Sequence, residues 1–439
     1  MRHLKAGFAR IDITPPLGVT VAGYYEIRLA DGIRDPLYAT AVAFDNGDTK
    51  AIVMSLDILG LNQIGQKAAK KVITARTGIP EEAIFIACTH THLGPDCNKP
   101  GENDAYVQML YSKLADAAQI ALADVVPATM LYTRGKVEDV AFVRRFRMKN
   151  GEVRTNPGCQ NPEIDHALGT PDENSSLLIL KREGKPEIGI VNFQVHPDVI
   201  GGCALSADYP KFVRDTYEKL IDNSLCMYLN GAQGDTNHVD VRLGADKCRR
   251  GYDRARYMGR KIAISVIANY ELAEALDGDR IVCSGKKISV KFNKGKPEEI
   301  EEAKRIYQIY QETNDVTVAV PNETGMRCVE LVAQARRIVT LMDYPEEKEL
   351  YITALAVGDV VFTGFPGEPF TDVGRAVKAS SPFALTITAC CANGYEGYFP
   401  TRAAFEEGGY EALTARYVTG TAERIMETSI ELMNELIKV

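Results

Sequence analysis

The sequence has 439 residues, which is more than one small domain needs but suits one large α/β domain with insertions. Hydrophobic residues make up 45% of the chain, a share that excludes wholesale disorder. The 51 basic and 59 acidic residues give a net charge of −8, which argues against bulk binding to nucleic acid.

Apolar and amphipathic segments alternate along the chain. Apolar runs predict strands at residues 40–44, 51–56, 84–87, 176–180, 188–195, 225–229, 281–292, 350–362 (two strands, with a break at residues 358–359) and 385–389. Helical periodicity predicts helices at residues 63–76, 105–123, 211–221, 254–275, 297–311, 325–340 and 415–437. This order indicates an α/β fold, a layered mixed β-sheet core flanked by helices. We expect a single domain over residues 1–439, with a helical insertion or lid at residues 295–345.

Targeting signals are missing from the sequence. Residues 1–7 contain no apolar stretch that resembles a secretory signal, and no apolar run is long enough to span a bilayer. The ten cysteines are scattered and include no Cys-x-x-Cys pair, which suits a reducing cytoplasm. We therefore expect a cytoplasmic protein without stable membrane association, and any metal site should use His, Asp, Glu or Tyr. The sequence leaves the oligomeric state open, including a homo-oligomer.

Two of the six histidines, His90 and His92, follow the apolar run at residues 84–87. Residues two apart in a strand point to the same face, so a strand that continued to His92 would place both imidazoles side by side. The Gly-Pro pair at residues 94–95 then opens a loop. Paired imidazoles at a strand end suit a metal ion, or one ligand and one proton-transfer group.

Four other predicted strands also end in polar residues close to Gly or Pro. The residues that stand out after these strands are His196, the pair Gly234 and Asp235, Glu368, and the segment at residues 393–398. Ligands of α/β proteins gather outside strand ends, where loops converge. His90, His196 and Glu368 would form a set of two imidazoles and one carboxylate, as catalytic zinc sites commonly have. His92 could then donate a proton to a leaving group.

The run at residues 143–147 alternates Val-Arg-Arg-Phe-Arg, which places Arg144 on one face and two arginines, Arg145 and Arg147, on the other. A cation is useful where oxyanion charge develops. From the alternation alone, however, we interpret this run as the solvated face of an edge strand.

The motifs together resemble the catalytic domain of the neutral/alkaline (non-lysosomal) ceramidases and their bacterial relatives. The opening Gly-Phe-Ala-Arg-Ile-Asp-Ile-Thr-Pro-Pro-Leu-Gly at residues 7–18 is similar to the start of that family. The run Thr-His-Thr-His-Leu-Gly-Pro at residues 89–95 matches its His-Thr-His-Ser-Gly-Pro motif, with Leu93 in place of the serine. Phe-Pro-Gly-Glu at residues 365–368 and Asn-Gly-Tyr at residues 393–395 match its later motifs. The resemblance spans nearly the whole chain and implies a ceramidase-like catalytic domain.

Carried over by position, the resemblance implies zinc bound by four residues, His90, His196, Glu368 and Tyr395. Tyr398 lies close enough in sequence to replace Tyr395 as the ligand. His92 would be the catalytic histidine beside the metal, and Arg144 would match the substrate-binding arginine of the family.

The chain departs from the family at the Gly-Asp-Val-Ser-Pro-Asn run, whose serine has been treated as catalytic. Here the run begins Gly234, Asp235, Thr236 and continues with Asn-His, so Thr236 is the candidate for the space of the serine. Typical ceramidases are also longer, secreted or membrane-facing, and carry a C-terminal β-sandwich, whereas this sequence ends in a predicted helix. We therefore expect a water-soluble amide or ester as substrate rather than ceramide, with a carboxylate for Arg144 or Arg145.

The first functional hypothesis is a zinc-dependent hydrolase of a carbon–nitrogen bond in a small polar molecule. His92 passes protons, Arg144 and the loop amides near Gly234 steady the oxyanion or substrate, and Asp235 orients a ligand histidine. The same site would also serve an esterase, a lactonase or a cyclic-amide hydrolase. A non-catalytic metal-dependent binding protein and a structural metal are the alternatives from other classes. Manganese or iron could replace zinc, since their ligand preferences overlap.

Overall fold

The computed structural model describes residues 4–99, 101–244 and 250–438. The strands in chain order are β1 (Lys5–Asp12), β2 (Thr20–Val21), β3 (Arg28–Leu29), β4 (Gly32–Ile33), β5 (Tyr38–Asp45), β6 (Lys50–Leu56), β7 (Ile84–Cys88), β8 (Val126–Lys136), β9 (Phe142–Val143), β10 (Arg145–Met148), β11 (Val153–Thr155), β12 (Ile164–Ala167), β13 (Asn174–Arg182), β14 (Glu187–Phe193), β15 (Ala204–Leu205), β16 (Ser224–Asn230), β17 (Thr236–Asn237), β18 (Glu274–Leu276), β19 (Ile281–Lys291), β20 (Glu347–Val357), β21 (Val360–Gly364), β22 (Glu368–Pro369), β23 (Leu385–Ala389) and β24 (Tyr398–Phe399). The α-helices are α1 (Gln63–Thr77), α2 (Asp104–Ala123), α3 (Asp208–Leu220), α4 (Tyr252–Ile267), α5 (Ile300–Thr313), α6 (Val316–Ala319), α7 (Met326–Leu341), α8 (Thr371–Ala379), α9 (Arg402–Glu407), α10 (Tyr410–Thr414) and α11 (Thr421–Leu436).

Two mixed sheets form the centre of the molecule. The larger has the order β16-β14-β13-β8-β1-β5-β6-β7, with β18 also paired to β8, and the smaller has the order β19-β20-β21-β23. Three neighbouring pairs are parallel: β6 with β7, β14 with β16, and β21 with β23. The other pairs within these two sheets that involve β1, β5, β8, β13 and β20 are antiparallel. The predicted layered, mixed α/β fold is confirmed.

The larger sheet curls so that its two ends approach each other. The Ser55 hydroxyl on β6 donates to the carbonyl of Tyr228 on β16 at 2.5 Å, although five other strands separate these two in the sheet order. The Asn192 amide on β14 donates to the carbonyl of Thr388 on β23 at 2.9 Å, which joins the two sheets. The carboxyl ends of the three parallel pairs therefore meet in one region.

Apolar strands and amphipathic helices bury their faces in layers around this centre. Phe362 on β21 packs against Phe44 and Phe85 of the larger sheet, with ring centroids 6.1 and 6.3 Å apart, so a core lies between the sheets. Helices α3 and α4 cover the β13 and β14 side of the larger sheet, and α8 and α11 cover the smaller one. Local signals set the helix bounds: the Asn62 side chain caps the start of α1, and Gly78 ends it with a φ of 73°.

Some predicted bounds were wrong. The helix expected at residues 254–275 is α4, which ends at Ile267 and is followed by a short 3₁₀ turn and β18. The last residues of that prediction pair with β8, because hydrogen bonding to a sheet edge outweighs weak helical periodicity. The helix expected at residues 415–437 begins only at Thr421.

Helices α5, α6 and α7 pack on one another over residues 300–341, within the segment that we predicted as a helical insertion or lid. Their role as a lid, and the single-domain organisation, stay predictions. None of the helices in the described part of the chain combines the length and apolarity that crossing a bilayer requires. Cys159 is disulfide-bonded, whereas Cys88 and seven other cysteines are free. The cysteine argument for a reducing compartment therefore does not cover Cys159, and the cytoplasmic location stays a prediction.

Candidate metal centre and active site

His90 and His92 lie at the carboxyl end of β7, but not on a continuing strand. The strand ends at Cys88, and His90 has a φ of 72°, a left-handed conformation that non-glycine residues adopt mainly where surrounding structure enforces it. The expectation of a strand through His92 was wrong, because the His90 amide turns to donate to the carbonyl of Ile58 at 3.0 Å. The two rings still converge, with centroids 5.2 Å apart and nearly perpendicular planes.

His90 has one ring nitrogen fixed by the backbone and the other aimed at an acid. Its Nδ1 lies 2.8 Å from the carbonyl oxygen of Leu59, and its Nε2 lies 3.2 Å from Oε2 of Glu368. Although burial opposes it, the Glu368 carboxylate raises the pKa of His90. A ring that donates Nδ1–H to a carbonyl is held with Nε2 free to bind a cation, the arrangement typical of metal-ligating histidines.

His196 follows the carboxyl end of β14 and lies between His92 and Glu368. Its Nε2 is 2.9 Å from Nε2 of His92, so one ring donates to the other. Its Nδ1 is buried, lies 3.8 Å from Oε2 of Glu368, and has no hydrogen-bond partner among the described residues. Burial and the nearby cations lower the pKa of both His92 and His196 well below the ordinary value, so both rings are neutral and can act as ligands.

Glu368 enters from the smaller sheet, on β22 beyond the end of β21. Its Oε1 accepts a hydrogen bond from the Tyr395 hydroxyl at 3.3 Å, and the Gln233 amide lies 3.5 Å from its Oε2. Burial by itself would raise the pKa of Glu368, but His90 and then Arg144 hold it below its ordinary range. The carboxylate is therefore charged, and it faces ring nitrogens of His90 and His196 and the hydroxyl of Tyr395.

These donors fit a divalent cation. His90, His92 and His196 offer nitrogen atoms that all lie within 4.8 Å of one another, and all three side chains are buried. Glu368 and Tyr395 add a carboxylate and a phenol. The unpartnered Nδ1 of His196 beside a buried carboxylate is a deficit that a cation would remove. The structure thus brings together all four predicted ligands and His92, while leaving open whether His92 is itself a ligand.

Between the two tyrosines that the sequence could not separate, the contacts favour Tyr395. Its ring lies 5.7 Å from that of His90 and its hydroxyl reaches Glu368. Gly60 makes this approach feasible, since a Cβ there would stand 2.5 Å from the Tyr395 ring. The Tyr398 ring instead lies under the Arg144 guanidinium, 5.3 Å from its carbon.

Arg144 is buried, so the interpretation of residues 143–147 as a solvated edge strand was wrong for the two adjacent arginines. The Arg144 Nε donates to Oε1 of Glu411 at 2.7 Å, and its Nη2 donates to the carbonyl of Gly234 at 2.7 Å. Its charge is close enough to lower the pKa of Glu368. The arginine is held at the site by an acid that sequence reasoning missed, because Glu411 lies 267 residues away in the short helix α10, which carries no recognisable motif.

Arg145 also lies beside Glu411, with its Nε 3.7 Å from Oε2 of that acid. It donates to Glu407 at 3.0 Å and to the carbonyl of Gly408 at 2.8 Å, and its guanidinium stacks on Phe370. Arg144 lies in the break between β9 and β10, and its charge is near enough to lower the pKa of His196. These contacts give no support to Arg145 as a substrate-binding residue.

The Gly234 loop packs directly on the backbone of Glu368. A Cβ at Gly234 would stand 2.5 Å from the Glu368 carbonyl oxygen, so only glycine allows this approach. Thr236 is buried and donates to the Gln233 carbonyl at 3.2 Å. Asp235 accepts from the Thr371 amide and hydroxyl at 2.8 and 2.7 Å, which caps helix α8, and no hydrogen bond from Asp235 to a histidine occurs among the described residues. Its expected part in orienting a ligand histidine therefore has no contact to support it.

Comparison with known proteins identifies the fold. No protein-family model and no curated protein matches the sequence. Among solved structures, a neutral ceramidase from Pseudomonas aeruginosa superposes with a TM-score of 0.76 and 17% identity, over 100% of this chain and 75% of that one. The chain has a neutral-ceramidase-like fold. A structure described as ceramidase complexed with C2 gives a TM-score of 0.72 and 16% identity, over 100% of this chain and 76% of that one. The family resemblance of the sequence motifs is confirmed at the level of the fold.

Proposed function

We propose that this protein is a zinc-dependent hydrolase that cleaves an amide bond of a small molecule. The observation that carries the proposal is the unpartnered Nδ1 of His196 beside the Glu368 carboxylate, in a buried cluster with His90 and His92. Two structures of the same fold are named ceramidases, and a ceramidase hydrolyses an amide, which supports this reaction class.

We assign the cation to His90, His196, Glu368 and Tyr395. When bound, a divalent cation supplies Lewis acidity to a carbonyl and lowers the pKa of a water molecule. The Leu59 carbonyl orients His90 for this task, and the Gln233 amide orients Glu368. A cation also removes the cost of placing a charged carboxylate beside unpaired nitrogen atoms in the interior.

His92 is proposed to hold and move a proton between the attacking water and the leaving amine. Its Nε2 contacts His196, and its Nδ1 is buried 4.0 Å from Oδ1 of Asp198. The neutral ring can accept a proton on one nitrogen while it shares the other. Its low pKa, a result of burial and of the neighbouring cations, makes it a good proton donor once it is charged.

Arg144 is proposed to stabilise negative charge on the substrate oxygen. The Glu411 carboxylate and the Gly234 carbonyl fix its guanidinium, so no reorganisation is needed when charge develops. Gly234 and Thr236 are proposed to line the substrate site, because their loop packs on Glu368 and carries the Arg144 contact.

Helices α5–α7 are proposed to cover the site through Tyr25. The Tyr25 carbonyl accepts from the Tyr310 hydroxyl, Arg336 lies 5.7 Å from its ring, and Glu368 is near enough to affect its pKa. The chain contains no tryptophan, so Tyr307→Trp on α5 would provide a single reporter. If the helices close over substrate, the emission of this tryptophan should shift when a substrate analogue is added. An unchanged emission spectrum at saturating analogue would show that the helices do not cover the site.

The test of the proposed function is metal analysis combined with a substrate panel. We expect one zinc per chain and turnover of N-acyl amides that exceeds turnover of the matched esters and lactones relative to their uncatalysed rates. Faster relative turnover of esters or lactones would make the protein an esterase or lactonase with the same site. A full metal content without turnover of any of these compounds would favour a binding protein.

A further inference from the structure

His238 is a buried imidazole that the proposed mechanism does not use. It directly follows β17, and only 3% of the residue is exposed. Neither Nδ1 nor Nε2 has a hydrogen-bond partner in the described part of the chain, although buried ring nitrogens are nearly always paired. An imidazole with both nitrogens unpaired is costly unless a ligand supplies the missing partners.

His238 lies near the candidate active site, because β17, which it follows, pairs with β9 directly before Arg144. The Asp198 charge is also near enough to affect the pKa of His238, and Oδ1 of Asp198 lies 4.0 Å from Nδ1 of His92. Burial and the charge of Arg250 outweigh Asp198 and lower the pKa of His238 to about 3. The ring is thus neutral near pH 7 and offers one donor and one acceptor.

Tyr24 and Arg28 hold the other side of this region in place. The Tyr24 hydroxyl donates to Oδ1 of Asp198, and the Arg28 guanidinium stacks 4.0 Å from the Tyr24 ring. Arg28 in turn donates to the carbonyls of Gly202 and His92 at 2.8 and 2.9 Å. Asp198 is still partly exposed, at 23% of its side chain, so it can accept a further hydrogen bond.

We propose that His238, Asp198 and Tyr24 form a polar subsite beside His92, which binds an uncharged substrate group that both donates and accepts hydrogen bonds. A hydroxyl or a primary carboxamide has this chemistry. An alkyl chain would leave both imidazole nitrogens unpaired, and a carboxylate, which only accepts hydrogen bonds, would leave the acceptor nitrogen unpaired. The subsite rests on the proposed amide hydrolysis and defines its substrate class as hydroxylated or carboxamide-bearing amides rather than amides of purely alkyl groups.

Matched substrate pairs test this subsite on either side of the scissile bond. Lactoyl anilide and isobutyryl anilide differ only by a hydroxyl in place of a methyl on the acyl side, and N-acetylethanolamine and N-acetylpropylamine differ likewise on the amine side. For the zinc-loaded wild type we expect the hydroxyl member of one pair to have about 100-fold higher kcat/KM, since sites built to pair a hydroxyl reject analogues that lack it. Equal or reversed preference in both pairs would overturn the subsite.

Two variants attribute the preference to His238. His238→Phe should reduce it to about threefold or less, through a loss of kcat/KM for the hydroxyl member. His238→Gln, which keeps one donor and one acceptor, should retain most of the preference and guards against a folding defect in the phenylalanine variant. His166→Phe, at an exposed histidine, is the matched control. If folded His238→Phe keeps the preference for the hydroxyl member, another part of the site must cause that preference.

The failure of the subsite and the failure of amide hydrolysis give different results. If the zinc-loaded wild type hydrolyses none of the four amides, the proposed function fails, and the subsite is tested by calorimetric binding of the intact lactoyl anilide and isobutyryl anilide, neither of which carries a primary carboxamide. Tighter binding of lactoyl anilide to the wild type, lost in His238→Phe, would support the subsite independently. Equal binding of the two anilides would overturn it.

Discussion

Two buried polar groups lie side by side at the ends of the parallel strands, and they differ in how completely their hydrogen bonds are paired. Asp57, just beyond β6, forms a bidentate ion pair with Arg214 of α3, with distances of 2.9 and 2.7 Å. The Tyr38 amide adds a third bond to this carboxylate at 3.0 Å. In the neighbouring cluster, Nδ1 of His92 and Nδ1 of His196 have no partner among the described residues.

The contrast separates stability from binding. The Asp57–Arg214 pair is closed, because its carboxylate oxygens and guanidinium are satisfied by the fold itself. The histidine cluster is open, because the fold assembles donors without pairing them. Burial without pairing is unfavourable, so such an arrangement persists where an additional ligand supplies the partners. Removing a member of the closed pair should therefore destabilise the protein, whereas removing a member of the open cluster should mainly abolish metal binding.

The largest effect is expected from Glu368→Gln, which breaks the open cluster. Loss of the buried negative charge should reduce zinc to less than about one tenth per chain and lower kcat/KM by about 10,000-fold. Metal analysis and amide turnover check both values. Glu349→Gln, at an exposed glutamate, is the control and should match the wild type. Retention of stoichiometric zinc by Glu368→Gln would show that the carboxylate is not a ligand.

Breaking the closed pair by Arg214→Met should destabilise the fold by about 3–5 kcal/mol, since Asp57 would remain charged and unpaired in the interior. Urea unfolding of the metal-free protein measures the change. The molecules that remain folded should still bind one zinc. Arg305→Met, on the surface of α5, should change stability by less than about 0.5 kcal/mol. Equal stability of Arg214→Met and Arg305→Met would remove the distinction between the closed and open groups.

His92→Gln sharpens the description of the open cluster, because the three imidazoles are close enough for His92 to be a third nitrogen ligand. If its part is proton transfer, zinc should stay at one per chain while kcat falls about 100- to 1,000-fold. His166→Gln, at an exposed histidine, controls for the substitution. Loss of zinc in step with activity would instead make His92 a ligand.

The smallest effect concerns Lys70, a buried cation of α1 without an ion pair among the described residues. Burial lowers its pKa from 10.5 to about 8, so between these values the unfolded chain binds more protons than the folded one. The free energy of unfolding of the wild type should therefore increase as the pH rises from about 8 to 10.5. Lys70→Met should be more stable than the wild type at pH 7 by about 1–3 kcal/mol, an advantage lost towards pH 10.5.

Urea unfolding at neutral and alkaline pH measures this difference. Lys71→Met, at the exposed neighbouring position, should show no such dependence. A pH-independent difference between Lys70→Met and the wild type would mean that the Lys70 amine reaches water.

The sequence predicted most of this fold because the central strands are continuous apolar runs, and β7, β21 and β23 are buried at every residue. It also predicted which strand ends converge, since parallel strands present their carboxyl ends at one edge. It missed β8, an 11-residue strand whose mixed burial leaves no clean alternation. The short strand β18 was assigned to a helix, because its pairing with β8 is a tertiary effect that the local sequence does not show.

The site was harder to predict from the sequence wherever a partner came from a distant segment of the chain. His90, His196 and Glu368 stand beside glycine or proline at strand ends, a local signal that the structure brings to one point. Glu411 carries no such signal, and burial of Arg144 could not be inferred without it. His238 was visible in the run after Gly234, but its unpaired ring is a property of packing.

A crystal structure of the zinc-loaded protein, with anomalous scattering recorded at the zinc edge, tests directly whether His90, His196 and Glu368 hold one cation. We expect one peak about 2.0–2.2 Å from a nitrogen of His90, a nitrogen of His196 and an oxygen of Glu368. A structure determined at saturating zinc that has no peak among these residues, or in which other side chains coordinate the zinc, would contradict the proposed metal site.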